Sequence, residues 1–222
     1  NDLDGDLVTF WRVLRDQPGE LERVCSLTPH SREEYEQACG DLPESDIERA
    51  RRVWVRLTQG RSHSMKATGW KFVRDATKRM PQGQFVASFA SRLHPAAKRL
   101  RSVSIESRDA LEVIADYGSE PQCCLYVDPP YLGSTRASNY RVEMLDDDAH
   151  RTFADALNGC KASVVLSGYA SPLYAELFDG WHRLDLPGAT TLSGETDRVE
   201  VLWCNRPLRE PDLFDQLEVA PA

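Results

Sequence analysis

The stretch CCLYVDPPYLGSTR, residues 123–136, decides the fold. Its apolar run has the length of a strand. It ends on an acid, Asp128, and then on two prolines that cannot extend a hydrogen-bonded ladder. The run therefore predicts a buried strand that stops at Asp128 and leaves the acid at its carboxyl end. Outward from it the same texture continues. SVSIES (102–107) predicts a strand, RDALEVIADYG (108–118) a helix, DDDAHRTFADALNG (146–159) a helix and ASVVLSGY (162–169) a second buried strand. SPLYAELFDG (171–180) is a short helix with Pro172 at its first position. WHRLDLPG (181–188) and RVEVLWCN (198–205) are two strands joined by ATTLSGETD. Strands alternating with helices make an α/β fold with a parallel, doubly wound sheet, and the last pair forms an antiparallel C-terminal hairpin.

Upstream of residue 101 the pattern is helical. LDGDLVTFWRVLRDQPG (3–19) sets Leu7, Phe10, Trp11 and Leu14 on one face behind a capping Asp4, and Pro18-Gly19 ends it. SREEYEQACG (31–40) and SDIERARRVWVRLTQG (45–60) open with capping-box spacing, Ser31 with Glu34 and Ser45 with Glu48, and each ends on glycine. QGRSHSMKATGWKFVRD (59–75) is polar, basic and aperiodic, as a loop or short hairpin is. ASFASRLHPAAKRLR (87–101) returns to helix, interrupted near Pro95. The chain thus divides into a start fragment of the core (1–27), a basic helical insert (28–100) and an α/β core (101–222).

Charge is spread unevenly over the 222 residues. The net charge of −8 would ordinarily argue against a nucleic-acid partner. Between Arg49 and Arg101, however, stand fourteen Lys or Arg and a single acid, Asp75, so that segment carries +13 and the remainder −21. So lopsided a run is too cationic for salt-bridge lacing of a solvated face and predicts a surface for a polyanion. No apolar run approaches the length of a membrane span, and no signal peptide opens the chain. Cys25, Cys39, Cys123, Cys124, Cys160 and Cys204 show no CxxC pairing, which predicts reduced thiols in a cytosolic protein. The histidines show no ligand spacing either, so no metal is expected.

In an open α/β sheet, ligands bind beyond the carboxyl ends of the strands, where Asp128 stands. Pro129 and Pro130 fix φ and hold the chain extended, so its carbonyls are presented rigidly. Tyr131 adds a flat ring able to stack on a heterocycle. A carboxylate acceptor, a fixed carbonyl and a stacking ring together suit an exocyclic amine on a planar ring. The bland alternative is a turn after a strand; the strand before the motif and the helix after it favour the functional reading.

With LYV before it, DPPY resembles the catalytic motif of amino-methylating methyltransferases that use S-adenosylmethionine. The surrounding residues resemble the Dam-type DNA adenine-N6 methyltransferases, particularly phage and actinobacterial ones. NDLDGDLVTFWRVLRD (1–16) is similar to the segment where the family's second strand ends in an acid, and SIESRDALEVI to the strand and helix before the catalytic strand. VVLSGYASPLY and RVEVLWCNRP resemble the fifth strand and the terminal hairpin. The likeness covers nearly all of the chain except the basic insert, which stands where the family carries its target-recognition domain.

The resemblance implies a Rossmann-like methyltransferase sheet, S-adenosylmethionine as cofactor and double-stranded DNA as partner, with no membrane and no metal. By position, Asp128, Pro129, Pro130 and Tyr131 form the catalytic pocket. Asp128 and the Pro129 carbonyl accept hydrogen bonds from the adenine amine, and Tyr131 stacks on the flipped base. Asp2, Asp109 and Asp128 are the cofactor-binding residues it implies: Asp2 for the ribose hydroxyls, Asp109 beside the cofactor's adenine. Asp2 is equally readable as a helix N-cap or an exposed acid, and Asp109 as the cap of the helix it precedes. In the insert, Arg51, Arg52, Arg56, Arg61, Lys66, Lys71, Arg74, Lys78 and Arg79 are candidates for phosphate contacts, while Trp54 and Trp70 suit core or hairpin supports. An RNA base-amine methyltransferase and a DNA-binding relative without catalysis are the alternative readings. Family members open with a lysine-bearing segment and a glycine-rich turn. No GxG or GGG run follows a strand here and the chain begins without Met, so the expectation is a chain lacking its cofactor-binding start.

Overall fold

A computed structural model describes residues 1–41, 43–72, 88–132, 144, 146–186 and 200–207. The expectations for ATTLSGETD and for Arg74, Lys78 and Arg79 lie outside them. The described chain divides into two compact units, residues 1–112 and those from 113 onward.

The first unit is helical: α1 (Gly5–Asp16), α2 (Pro18–Leu27), α3 (Arg32–Ala38), α4 (Asp46–Gln59) and α5 (Leu93–Leu100). At its centre is α4, packed on α1, α2 and α3. Its Ala50, Val53 and Trp54 are buried with Phe10, Leu14, Leu21, Tyr35 and Leu93, so the helices of the start fragment and those that follow share one core. Asp4 caps α1 as expected, accepting from the Asp6 amide at 3.0 Å. Pro18 ends α1 but also opens α2, a helix the sequence pattern did not mark; at the first helical position proline gives up no needed N–H.

Two expectations are corrected here. Ser31 and Ser45 occupy N-cap positions, yet neither side chain caps its helix. The acids that would complete the boxes are held by a guanidinium instead: Arg51 donates to Glu34 at 2.6 Å and to Glu48 at 2.7 Å. And SVSIES forms no strand among the described residues, because its one backbone bond to another segment runs from the Asp2 amide to the Glu106 carbonyl, and a strand needs a ladder.

Residues 60–70 form the short hairpin, closed by a Gly60–Trp70 bridge and the Arg61 amide's bond to the Gly69 carbonyl, with Gly69 at φ +92° beside the bridge. The Tyr35 hydroxyl accepts from the amides of Thr68 and Gly69, and the buried Gln59 bonds Ser31, Pro29 and the Trp70 indole. Trp54 is core and Trp70 is a hairpin support, as the sequence suggests.

The second unit is a four-stranded mixed sheet entered through α6 (Ala110–Tyr117). Its elements are β1 (Cys124–Val127), α7 (Asp147–Asn158), β2 (Ser163–Tyr169), α8 (Pro172–Leu177), β3 (His182–Leu186) and β4 (Glu200–Cys204). The order is β1-β2-β4-β3, with β1 and β2 parallel and β4 antiparallel to both neighbours. The last two strands do pair antiparallel, with β4 inside the sheet and β3 at its edge. One face is sealed by Phe153, Leu157, Tyr174 and Phe178 over Val164, Leu166 and Trp203. The buried His150 bridges the Tyr174 hydroxyl and the Met144 carbonyl, both at 3.0 Å. Strand β2 is buried as expected, but β1 is not: Cys124 and Tyr126 are exposed while Leu125 and Val127 are half-buried. Among the described residues β1 is an outer strand of the sheet, and a strand packed on one face alternates in this way.

Candidate active site

Asp128 follows the last residue of β1. The parallel register pairs Val127 with Leu166, which sets Ser167 beside Asp128. Ser167 is almost completely buried, and its hydroxyl donates to Asp128 Oδ1 at 2.8 Å, with the Val127 carbonyl a second acceptor at 3.3 Å. Asp128 itself is exposed, so one oxygen is tethered while the carboxylate still faces outward. Pro129 beneath it is buried and Pro130 half-buried.

Tyr131 closes the motif. Its ring meets that of Tyr169 edge to face, 4.8 Å between centroids at 78°. Its hydroxyl donates to Glu200 Oε1 at 3.3 Å. Tyr169 and Glu200 are directly opposed across β2 and β4, and Ser167 lies two residues from Tyr169 on the same face of β2. Burial first, then the charge of Asp128, push the Tyr131 phenol well above its ordinary range; a hydrogen bond with Ser167 opposes them, and the Glu200 charge and a hydrogen bond with Asp128 add smaller upward effects. The phenol therefore keeps its proton and donates. Two carboxylates and a neutral ring make a site built of acceptors, able to hold N–H donors on a flat molecule.

The sequence profile of the D12 class N6 adenine-specific DNA methyltransferases matches residues 1–191. The chain belongs to that family. No curated protein matches it.

As a D12-class methyltransferase it acts on DNA, and its mixed sheet suits a methyltransferase fold. In the helical unit of the methyltransferase, the chain start lies along residues 106–108. Asn1 accepts from the Arg108 amide at 3.0 Å and donates to its carbonyl at 2.9 Å, beside the Asp2–Glu106 backbone bond. This brings the segments bearing Asp2 and Asp109 side by side. Asp2 takes the Asp4 amide at 2.7 Å, and Asp109 takes the Leu111 amide at 2.8 Å, the capping role that sequence left open for it. Both residues are exposed, and both carboxylates keep acceptor capacity suited to the hydroxyls and amine of a nucleoside.

The cationic candidates of the methyltransferase separate into two groups. Arg51 pairs with Glu34 and Glu48, Arg52 with Glu48 and the Asp41 carbonyl, and Arg56 with Asp6 and the Ala38 carbonyl. Arg56 is buried, and Arg51 and Arg52 are half-buried. The acids that lace α4 lie upstream of the cationic run, which is why the run alone looked unlaced. Arg61, Lys66 and Lys71 belong to the hairpin instead; Arg61 is exposed, and Lys71 Nζ lies 3.1 Å from His63 Nε2. A cleft of about 440 Å³ is lined by Arg56, Met65 and Lys66 with Cys39, Gly40 and Asp41.

Ser167, Tyr169 and Glu200 were not singled out from sequence. The available signal was a lone serine inside the apolar run VVLSGY, which acquires meaning once β2 is registered against Asp128.

Proposed function

We propose that this methyltransferase transfers a methyl group from S-adenosylmethionine to adenine N6 of a base flipped out of duplex DNA. The observation that carries this is Asp128, tethered by Ser167 at the carboxyl end of β1 with the Tyr131 ring beside it. The adenine amine is a poor nucleophile because its lone pair is delocalised into the ring. Asp128 and the Pro129 carbonyl accept its two N–H bonds and turn the lone pair out of the plane, while Tyr131 holds the base by stacking. The bound cofactor supplies an electrophilic methyl on a sulfonium sulfur. N6 so held would take up that methyl and give its surplus proton to solvent through the exposed Asp128 carboxylate. A base in a duplex stack cannot enter such a pocket, hence the flipped state.

Asp2 and Asp109 would hold the ribose hydroxyls and the adenine of the cofactor; their carboxylates on adjoining segments fit those donors. The order β1-β2-β4-β3, with β4 reversed between two strands of like direction, supports a Rossmann-like methyltransferase sheet. Helices and hairpin between residues 28 and 100 form the target-recognition region in this reading. Arg61, Lys66 and Lys71 would contact phosphate, Arg74, Lys78 and Arg79 being further candidates by sequence alone, while Arg51, Arg52 and Arg56 hold the region together.

The test is transfer of a radiolabelled methyl group to unmethylated plasmid DNA and, in parallel, to ribosomal RNA. Label in duplex adenine that Asp128→Ala reduces at least a thousandfold supports the reading. Label in RNA alone would favour the RNA enzyme. DNA binding with neither transfer nor cofactor binding would favour the non-catalytic relative.

A further inference from the structure

The Tyr131 hydroxyl shares Asp128 and Ser167 as neighbours and is also tied from outside its own motif, by Glu200 at the hydroxyl and by Tyr169 at the ring edge. Glu200 is 69 residues away in sequence, the first residue of β4 and the direct partner of both Tyr169 and Leu186. Both anchors stand on strands, whereas Tyr131 lies beyond the end of one. We propose that Glu200 is a positioning residue for methyl transfer, fixing the tilt of the Tyr131 ring so that its face meets the flipped base. This rests on the reading of Asp128–Tyr131 as the adenine pocket.

The physical case has three parts. A stacking ring left to rotate must be ordered when the base arrives, and that ordering opposes binding and alignment. Alignment within a fraction of an ångström governs transfer between two held groups. An ionised acceptor makes a stronger hydrogen bond to a phenol than a neutral one does, and the phenol stays protonated in this setting. The ladder of β4 is made by backbone groups, so the side chain of Glu200 can be changed without removing the strand's pairing.

The experiment compares wild type, Glu200→Ala, Glu200→Gln, Tyr131→Phe and the double variant Tyr131→Phe/Glu200→Ala. Each is assayed for methyl transfer to plasmid DNA over a range of cofactor concentrations and for melting temperature. We expect Glu200→Ala to lower kcat about tenfold with the cofactor KM unchanged. Glu200→Gln retains an acceptor oxygen and recovers most of the rate. Tyr131→Phe falls by a similar factor, and the double variant is no slower than Tyr131→Phe. An equal loss from Glu200→Ala in both backgrounds overturns the proposal, because the acid then acts without Tyr131. A wild-type rate in Glu200→Ala overturns it too. A wild-type chain that transfers no methyl to duplex DNA sinks the pocket reading and this role with it, and coupling in the melting temperatures then shows whether the contact itself exists.

Discussion

What aims Asp128 is a hydroxyl 39 residues further along the chain. Ser167 fills a buried position on β2 where an aliphatic side chain would pack as well, so its polarity calls for a partner, and Asp128 is that partner. Removing the hydroxyl leaves a space smaller than a methyl group and frees the carboxylate to rotate. Ser167→Ala should therefore keep its melting temperature within a few degrees and lose about five- to tenfold in kcat, the scale of one hydrogen bond. Single-turnover transfer to plasmid DNA, beside thermal unfolding, reads both numbers; an unchanged rate would show that Asp128 is oriented by other means. Asp128 and Tyr131 are legible in sequence because their motif is local. Ser167, Tyr169 and Glu200 become legible only once strand register is known, since nothing in their neighbourhoods distinguishes them.

At the scale of elements, α4 is held by acids drawn from elsewhere. The hydrogen bond from Arg51, aided by Arg52, holds the Glu48 carboxyl below its ordinary value of 4.5. The folded carboxyl therefore binds its proton less readily than the unfolded one. Its contribution to stability is complete above that ordinary value and is lost as the pH falls through the lower, folded one. Melting temperature should decline on acidification below about pH 4.5. Glu48→Gln should melt lower at neutral pH and show a shallower acid limb. If the variant retains the full wild-type acid limb, the pairing does not stabilise α4. Helix existence was legible here from caps and apolar spacing. The capping boxes do not form, because a guanidinium from α4 competes for both acids, which spacing cannot reveal. Likewise Pro-Gly reads as a stop while also opening α2, and the alternation of SVSIES reads as a strand though it says nothing of a partner.

Over the whole molecule the charge asymmetry makes a prediction that separates the two groups of cations. The chain carries −8, so its long-range field repels DNA, and binding must come from cations that reach phosphates directly. Of the +13 run, the α4 arginines are paired with Asp6, Glu34 and Glu48, whereas Arg61 of the hairpin is exposed, as are Arg92, Lys98, Arg99 and Arg101 about α5. Each phosphate contact contributes a slope of about −0.9 to the dependence of log K on log salt concentration. Arg61→Ala should weaken plasmid binding and make that slope shallower by about one, because the exposed guanidinium reaches phosphate in this reading. Arg52→Ala should leave the slope as it is in wild type while lowering the melting temperature, because its charge is committed to Glu48 and the Asp41 carbonyl. Fluorescence anisotropy with labelled duplex from about 50 to 300 mM salt spans the range in which such slopes are measured. A change of slope in Arg52→Ala equal to that in Arg61→Ala would mean that α4 also meets the phosphates, its ion pairs opening as the duplex docks. A change in neither would move the DNA contact off the hairpin altogether.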